Sequence, residues 1–383
     1  MSVEGILLRR ERLRLGWSQQ GLCRGICAVS YLSKIEQGRA RASDEIICQL
    51  FARMGIAWSG APQVLASLRE QVEAAYDALF SFRTEEFENA VRALSAQKAS
   101  LRYSPLALDA MLLTTIANTP CEPLMQELEA CMDARQLALQ RVRQERFREA
   151  VALCPKAYFY YLAADAASVH GEDYPAALEL LQTGCELAAR EGSAHLMLLC
   201  RLLAGNCYCN MLDVANMLAQ YEVAERLAKA LGDRETLDVI RYNTAAVRLE
   251  TGDYAAAYAY YAGEEKQTVM TLHKLAICCE KLGRKEEALA ALARAEQMES
   301  DFPDTQTARR LCALVRRRLE NAAYLHDAAY GAELLSVFDE CRTRLPIGYA
   351  TFHLPWVLEW YTASRQYKQA YELLRNFPKA LIL

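Results

Sequence analysis

The stretch LAICCEKLGRKEEALAALARAE, residues 275–296, decides the architecture. Apolar and small residues recur every three or four positions on both sides of Gly283, the spacing of two amphipathic helices joined by a tight turn. Ala276 on the first helix and Ala288 on the second are 12 residues apart, and side chains that small let antiparallel helices approach closely. The same 12-residue pairing joins Ala245 to Ala257, Gly205 to Met217 and Asp165 to Ala177, each around a turn carrying an aspartate. Weaker copies end at Ala90, Ala150 and Ala370. An aromatic precedes the second-helix alanine at Phe87, Phe147, Tyr174, Tyr254 and Tyr367, a stripe that reads as inter-helix packing.

Composition agrees with helices throughout. Of 383 residues 53% are hydrophobic and 24% charged, enough to bury a large core, while only 10 are proline and 17 glycine. Ala, Leu, Glu and Arg dominate, which favours an all-α chain over a sandwich or barrel. No apolar run reaches the roughly 18 residues of a membrane span, and MSVEGILLRRER turns basic where a signal peptide needs an apolar core. The expectation is a cytoplasmic protein with no membrane partner, whose 14 cysteines are reduced and mostly small buried hydrophobes.

Charge is uneven. Through Trp58 there are nine Lys/Arg against five Asp/Glu, so a basic head precedes an acidic body within a net charge of −4. Such a head suits a polyanion. The glycine and proline of WSGAP, 58–62, mark a boundary, so the expected organisation is a head at 1–58, a linker at 59–66 and a repeat body at 67–383. The body resembles the tetratricopeptide repeat, whose period is about 34 residues. Its steps here are uneven, 27 from Ala150 to Ala177 and then 40, 40 and 31, so the copies are degenerate.

Within the head, SQQGLCRGICAVSYLSKIEQGRARAS, residues 18–43, has Ser18 as an N-cap after Gly16-Trp17 and a tight turn at Gly25-Ile26-Cys27. A second helix runs from Val29 to Gln37, with Leu32 and Ile35 inward and Val29, Ser30, Ser33 and Lys34 on the opposite face. Over residues 5–56 this resembles the lambda-repressor-like, Xre-type helix-turn-helix family. The resemblance implies that the second helix enters the major groove of double-stranded DNA. Val29, Ser30 and Lys34 then read bases, Gln19, Ser33, Arg39 and Arg41 hold phosphates, and Arg12 with Glu36 forms an internal ion pair. The short turn in GIC-x-x-S-x-LSKIE is more like the Rgg and PlcR type of regulators.

Taking the second-helix alanine as a ruler, His170, Asn206, Asn210, Tyr242, Asn243, His273 and Lys274 fall on groove-facing positions of first helices. A side-chain amide both donates and accepts, so it can clamp a peptide backbone. A head and body of these two kinds resemble together the RRNPP group of peptide-responsive transcriptional regulators. That resemblance implies a right-handed tetratricopeptide-like α-solenoid and a homodimer formed through the repeats. It also implies a short signalling peptide in the groove that shifts affinity for an operator of two half-sites. Trp356, Trp360 and Tyr361 suit either a dimer surface or a closing core layer.

No catalytic, cofactor or metal site is expected. The five histidines form no HExxH spacing, no CxxC pair exists, and neither a phosphate-binding glycine loop nor GxSxG occurs. Paired carboxylates such as Glu264-Glu265 and Glu286-Glu287 are explained by solvation or by helix starts. Two alternatives to a peptide receptor remain open: a helix-turn-helix regulator whose repeats dock a protein partner, and a scaffold whose head has lost DNA binding.

Overall fold

The structure is a computed structural model that describes residues 2–118, 123–170, 173–211, 213–298, 305–345 and 347–377. Among these residues there is no strand, and the chain forms two compact units, 1–200 and 201–383.

The first unit begins with α1 (Val3–Arg14), α2 (Gln19–Cys23), α3 (Val29–Glu36) and α4 (Asp44–Arg53). Serine side chains cap three of them: Ser2 accepts from the amide of Gly5, Ser18 from Gly21 and Ser43 from Ile46. Leu8, Leu22, Leu32, Ile35, Leu50 and Phe51 form their buried centre. Gly5 lies directly against the carbonyl of Ile35, where a Cβ would collide, so α1 and α3 cross backbone to backbone.

This core does not stop at the head. It continues into α8 (Ala107–Asn118) and α9 (Pro123–Leu128) through Leu108, Leu112, Met125 and Leu128. They follow α5 (Pro62–Phe80), α6 (Thr84–Ala96) and α7 (Lys98–Arg102). The segment 59–66, read from sequence as a linker, is held in place. Trp58 stacks on Phe51 with ring centroids 4.8 Å apart, the amide of Ser59 donates to the carbonyl of Tyr103 at 2.8 Å, and Pro62 already opens α5. An indole adjoining the Gly-Pro stretch makes the difference, since it brings a large apolar face that the head's core accepts. From α1, the buried carboxylate of Glu11 pairs with Arg14 at 2.6 Å, lies 3.8 Å from Arg102 and hydrogen-bonds Tyr103.

The rest of the unit comprises α10 (Ala134–Arg143), α11 (Phe147–Leu153), α12 (Ala157–His170), α13 (Tyr174–Glu191) and the start of α14 (Ala194–Asn210). Ala150 and Ala177 are fully buried, as the pairing pattern anticipates. Asp109 accepts from the hydroxyl of Tyr76 and the amide of Gln136, both at 2.7 Å, while Arg135 lies over the Tyr76 ring and grips Glu73 with two hydrogen bonds. Burial and that aspartate push the Tyr76 hydroxyl far above its usual range.

The second unit holds the end of α14, α15 (Val214–Leu231), α16 (Arg234–Glu250), α17 (Tyr254–Gly263), α18 (Val269–Lys281) and α19 (Lys285–Gln297). It closes with α20 (Thr305–Glu320), α21 (Ala328–Arg344), α22 (Ile347–Ala363) and α23 (Tyr367–Asn376). Ala257, Ala276 and Ala288 are fully buried. Helix α18 is buried on every side from Thr271 to Cys279, because α22 covers the face that α17, α19 and α20 leave open. Trp356 is part of this core and Trp360 packs where Gly331 lacks a Cβ, so these rings form a closing core layer. Tyr367 departs from the aromatic stripe and is exposed on α23. No disulfide joins any of the thirteen described cysteines.

Phe51 is the hinge of the head's attachment, touching both Trp58 and Tyr103. Phe51→Ala is expected to cost about 3–5 kcal/mol, the range for a fully buried aromatic. The check is thermal unfolding by circular dichroism, together with a red shift of tryptophan emission as Trp58 loses its stacking partner.

Candidate nucleic-acid interface and ligand cavity

The geometry of the head rests on one buried ion pair. Arg12 on α1 donates through Nε and Nη2 to the two carboxylate oxygens of Glu36 at the end of α3, at 2.6 and 2.8 Å. Its remaining nitrogen Nη1 donates to the carbonyl of Trp17 at 2.8 Å. The bond to Glu36 holds the guanidinium charged, above its ordinary range, against the opposing effect of burial. The expected internal pair is therefore formed, and it anchors α3 at its C-terminal end.

The turn into α3 is equally determined. Gly25 has φ +78°, a left-handed conformation that suits glycine, and the amide of Cys27 donates to the carbonyl of Cys23 at 3.0 Å. Arg53 on α4 donates to the carbonyl of Leu22 at 3.1 Å and also to that of Arg24, tying the end of α2 in place. With Leu32 and Ile35 inward, Val29, Ser30 and Lys34 face solvent, as the sequence pattern requires.

The four residues expected on phosphates differ in their freedom. Arg39 and Arg41 are exposed and, like Lys34, make no side-chain hydrogen bond or ion pair among the described residues. The Tyr31 hydroxyl donates to the carbonyl of Arg41 at 3.1 Å, which fixes the loop that carries both arginines. Ser33 accepts from Gln37 at 3.2 Å and keeps its own hydroxyl proton. Gln19 donates one amide N–H to Glu36 at 2.9 Å, leaving one. Arg24, exposed in the turn before α3, is a further cation on this part of the head that the sequence reading did not assign.

In the second unit, Asn206 on α14 and Asn243 on α16 are 3.3 Å apart through Nδ2 of Asn243 and Oδ1 of Asn206. Tyr221 on α15 joins them: its hydroxyl donates to Asn206 at 2.7 Å and accepts from Asn243 at 3.0 Å. Two amides expected to share a face are thus brought together, each half-buried. Tyr221 was not anticipated, although its signal was present. A glycine at 205 leaves the space its ring occupies, and position 221 lies one helical turn beyond Met217.

Asn243 and Tyr242 line a cavity of about 1000 Å³. Glu235, Asp238 and Val239 continue the same face of α16 along it, while Glu264, Lys266, Met270, Met298 and Tyr349 contribute from other segments. Tyr260 hydrogen-bonds Glu264, and burial together with that carboxylate raises its hydroxyl above the usual range.

The other expected groove residues lie elsewhere. His273 is completely buried against Phe352, His353 and Trp356 of α22, so it faces no groove. Lys274 is buried as well, with its ammonium 3.0 Å from the Tyr242 hydroxyl and over that ring. The physical reason is that α22 covers α18, a contact between segments far apart in sequence. Asn210 is half-exposed without a side-chain hydrogen bond among the described residues, and the side chain of His170 lies outside them.

At the α18–α22 seam, both ring nitrogens of His273 and Nε2 of His353 lack a hydrogen-bond partner among the described residues, while Nδ1–H of His353 donates to the carbonyl of Tyr349 at 2.7 Å. Burial first, and then the neighbouring cations Lys274 and Arg318, hold His353 down at about 4; the same groups and His353 hold His273 well below its ordinary value.

Residues 8–59 match the family described as Helix-turn-helix, so the head is a helix-turn-helix DNA-binding domain. No curated protein matches the chain. Among solved structures, the chain is similar to Bacillus thuringiensis PlcR in complex with the peptide PapR7 and DNA, at 15% identity and a TM-score of 0.31. That likeness covers 63% of this chain and 99% of the other. No described helix is long and apolar enough to cross a membrane, and no group of three metal-ligating side chains occurs among the described residues.

Two outcomes follow. Glu36→Ala leaves Arg12 charged and buried, and is expected to cost about 3–5 kcal/mol, with Glu36→Gln milder because it still accepts a hydrogen bond. Urea unfolding of the three proteins checks the order. For the histidines, folded values below the unfolded value of 6.5 mean that the unfolded chain takes up protons first. Stability is then whole above pH 6.5 and falls, by roughly 1.4 kcal/mol per pH unit for each imidazole, as pH drops toward 4. Thermal melts across that window should show this extra slope in the wild type, and lose it in a His273→Leu/His353→Leu double variant.

Proposed function

From a chain that carries a helix-turn-helix DNA-binding domain, we propose a sequence-specific transcriptional regulator of the RRNPP type. In this reading it acts in the cytoplasm as a homodimer formed through the repeats. Each head reads one half-site of an operator, and a short signalling peptide bound in the second unit modulates that binding. Residues 1–58 are the DNA-reading part and 67–383 the sensing and dimerising part.

The observation that carries the proposal is the contrast among cations of the head. Arg12 and Arg53 are engaged with Glu36 and with turn carbonyls, whereas Lys34, Arg39 and Arg41 stand exposed and uncommitted on an anchored helix and its following loop. Desolvating such groups against phosphates and base edges breaks no existing bond. Val29, with 42% exposure, is an apolar side chain offered to solvent beside them, suited to a thymine methyl. Gln19 and Ser33 take a smaller share, because each already serves an internal hydrogen bond.

The peptide half rests on the Asn206–Tyr221–Asn243 cluster. After their mutual bonds, the two amides still hold unused donor and acceptor capacity, which is what one peptide unit needs. Tyr242 and Asn243 carry it into the cavity; Lys274 acts behind Tyr242, positioning it.

The test is fluorescence anisotropy on DNA from upstream of the chain's own gene, at two salt concentrations. Lys34→Ala should weaken binding by about 1–3 kcal/mol, roughly 5- to 150-fold, with unchanged thermal stability. A small, protease-sensitive component from dense cultures should alter the wild-type affinity, and Asn243→Ala should remove that response. Absence of any sequence preference, on this DNA or on a random-site library, sinks the regulator reading. Tight binding indifferent to the extract sinks the peptide half and favours a docked protein partner.

A further inference from the structure

The cavity beside Asn243 has a chemical polarity of its own. One face of α16 supplies, in order, Glu235, Asp238, Val239, Tyr242 and Asn243, at helical positions i, i+3, i+4, i+7 and i+8 that all line it. The face therefore runs from carboxylates through an apolar patch to an amide. Glu264 adds a third carboxylate to the lining, against a single cation, Lys266, among the described residues. Val239, exposed by 39%, with the partly buried Met270 and Met298 gives the cavity an apolar lining among the described residues.

The carboxylates are poorly compensated from within. Glu235 has no ion-pair partner among the described residues; Asp238 has only Arg241, at 3.7 Å, in an exposed pair that water screens. Glu264 is bonded to a neutral hydroxyl, that of Tyr260. Three carboxylates around a concave, partly apolar space create a negative potential larger than the same groups would on a convex surface.

We infer that this cavity takes the cationic, aliphatic end of a short peptide. A primary amine or basic side chain sits among Glu235, Asp238 and Glu264, and apolar side chains lie on Val239, Met270 and Met298. The inference rests on the peptide reading above and adds to it the chemical class and direction of the ligand. From Glu235 to Asn243 is eight residues of helix, about 12 Å at the usual rise. An extended peptide covers that span in roughly four residues. The positive group therefore stands about four residues from the main-chain unit that Asn243 holds. Since the carboxylates cannot tell a terminal amine from a lysine or arginine, both sources share this chemistry.

The experiment is affinity selection of a randomised heptapeptide library, free at the N-terminus, on the full-length protein, with the selected peptides identified by mass spectrometry. The selected peptides should share a positive group and aliphatic residues, and should bind roughly tenfold more weakly to a Glu235→Gln/Asp238→Asn protein, the effect of two solvent-screened charge pairs. Lys266→Gln should tighten them. N-acetylation separates the sources: it abolishes binding if the terminal amine is recognised and leaves it unchanged if a side chain is. Circular dichroism verifies that the variants, altered at exposed positions, keep their helix content. Selected peptides that are neutral or acidic, or that bind the double variant as tightly as the wild type, overturn the inference while leaving the peptide reading intact. Failure to select any peptide, or selection that survives Asn243→Ala unchanged, overturns both.

Discussion

At the crossings that set the two candidate sites, one of the two helices offers almost no side chain. Gly5 meets the carbonyl of Ile35, the ring of Tyr221 occupies the space Gly205 leaves, and buried Ala276 and Ala288 belong to one tight helix pair. A helix held that close is fixed in rotation as well as distance, because turning it would drive a larger neighbour into the contact. The aim of every functional side chain follows from that. Val29, Ser30 and Lys34 look outward because Leu32 and Ile35 cannot leave the crossing with α1. Asn206 meets Asn243 because Tyr221 has filled the gap beside Gly205.

Buried polar groups in this chain follow two opposite regimes. In the first, Arg12 makes three hydrogen bonds, two to Glu36 and one to Trp17, and Asp109 is met by both Tyr76 and Gln136. Such networks cost little to bury because every charge is answered, and they hold one arrangement of the helices around them. In the second, the seam of α18 and α22 buries two imidazoles, three of their nitrogens without a hydrogen-bond partner among the described residues, beside the cations Lys274 and Arg318. An unanswered buried polar atom costs on the order of 1–3 kcal/mol, so apolar burial of Trp356, Leu354 and Val357 must offset it. The seam is stable by area, not by polar fit.

Charge in this molecule sorts by whether it is already used. Glu11, Glu36, Arg53 and Arg135 are bound to partners that fix helices. Lys34, Arg39 and Arg41 on the head, and Glu235 on the cavity, have no such partners among the described residues. Opposite signs at the two places fit opposite ligands, a polyanion for the head and a cationic peptide for the cavity.

Much of this could be read from residues a few positions apart. The cap at Ser18, the turn at Gly25, the inward Leu32 and Ile35, and the 12-residue pairing of Ala276 with Ala288 are local patterns, so the helices and their inward faces were legible. Even the pair of Arg12 with Glu36 was readable, through resemblance to a motif of definite length. Tertiary structure alone decided what covers each face. Trp58 stacks into the head's core and Ser59 bonds to Tyr103, so the stretch expected as a linker is held, and α22 closed over His273 and Lys274, removing both from the solvent the periodicity had assigned them. A helical ruler states which side chains share a face, because it depends only on 100° per residue. Which distant segment lies on that face is set by the summed packing of all intervening helix pairs, and no local spacing records that sum.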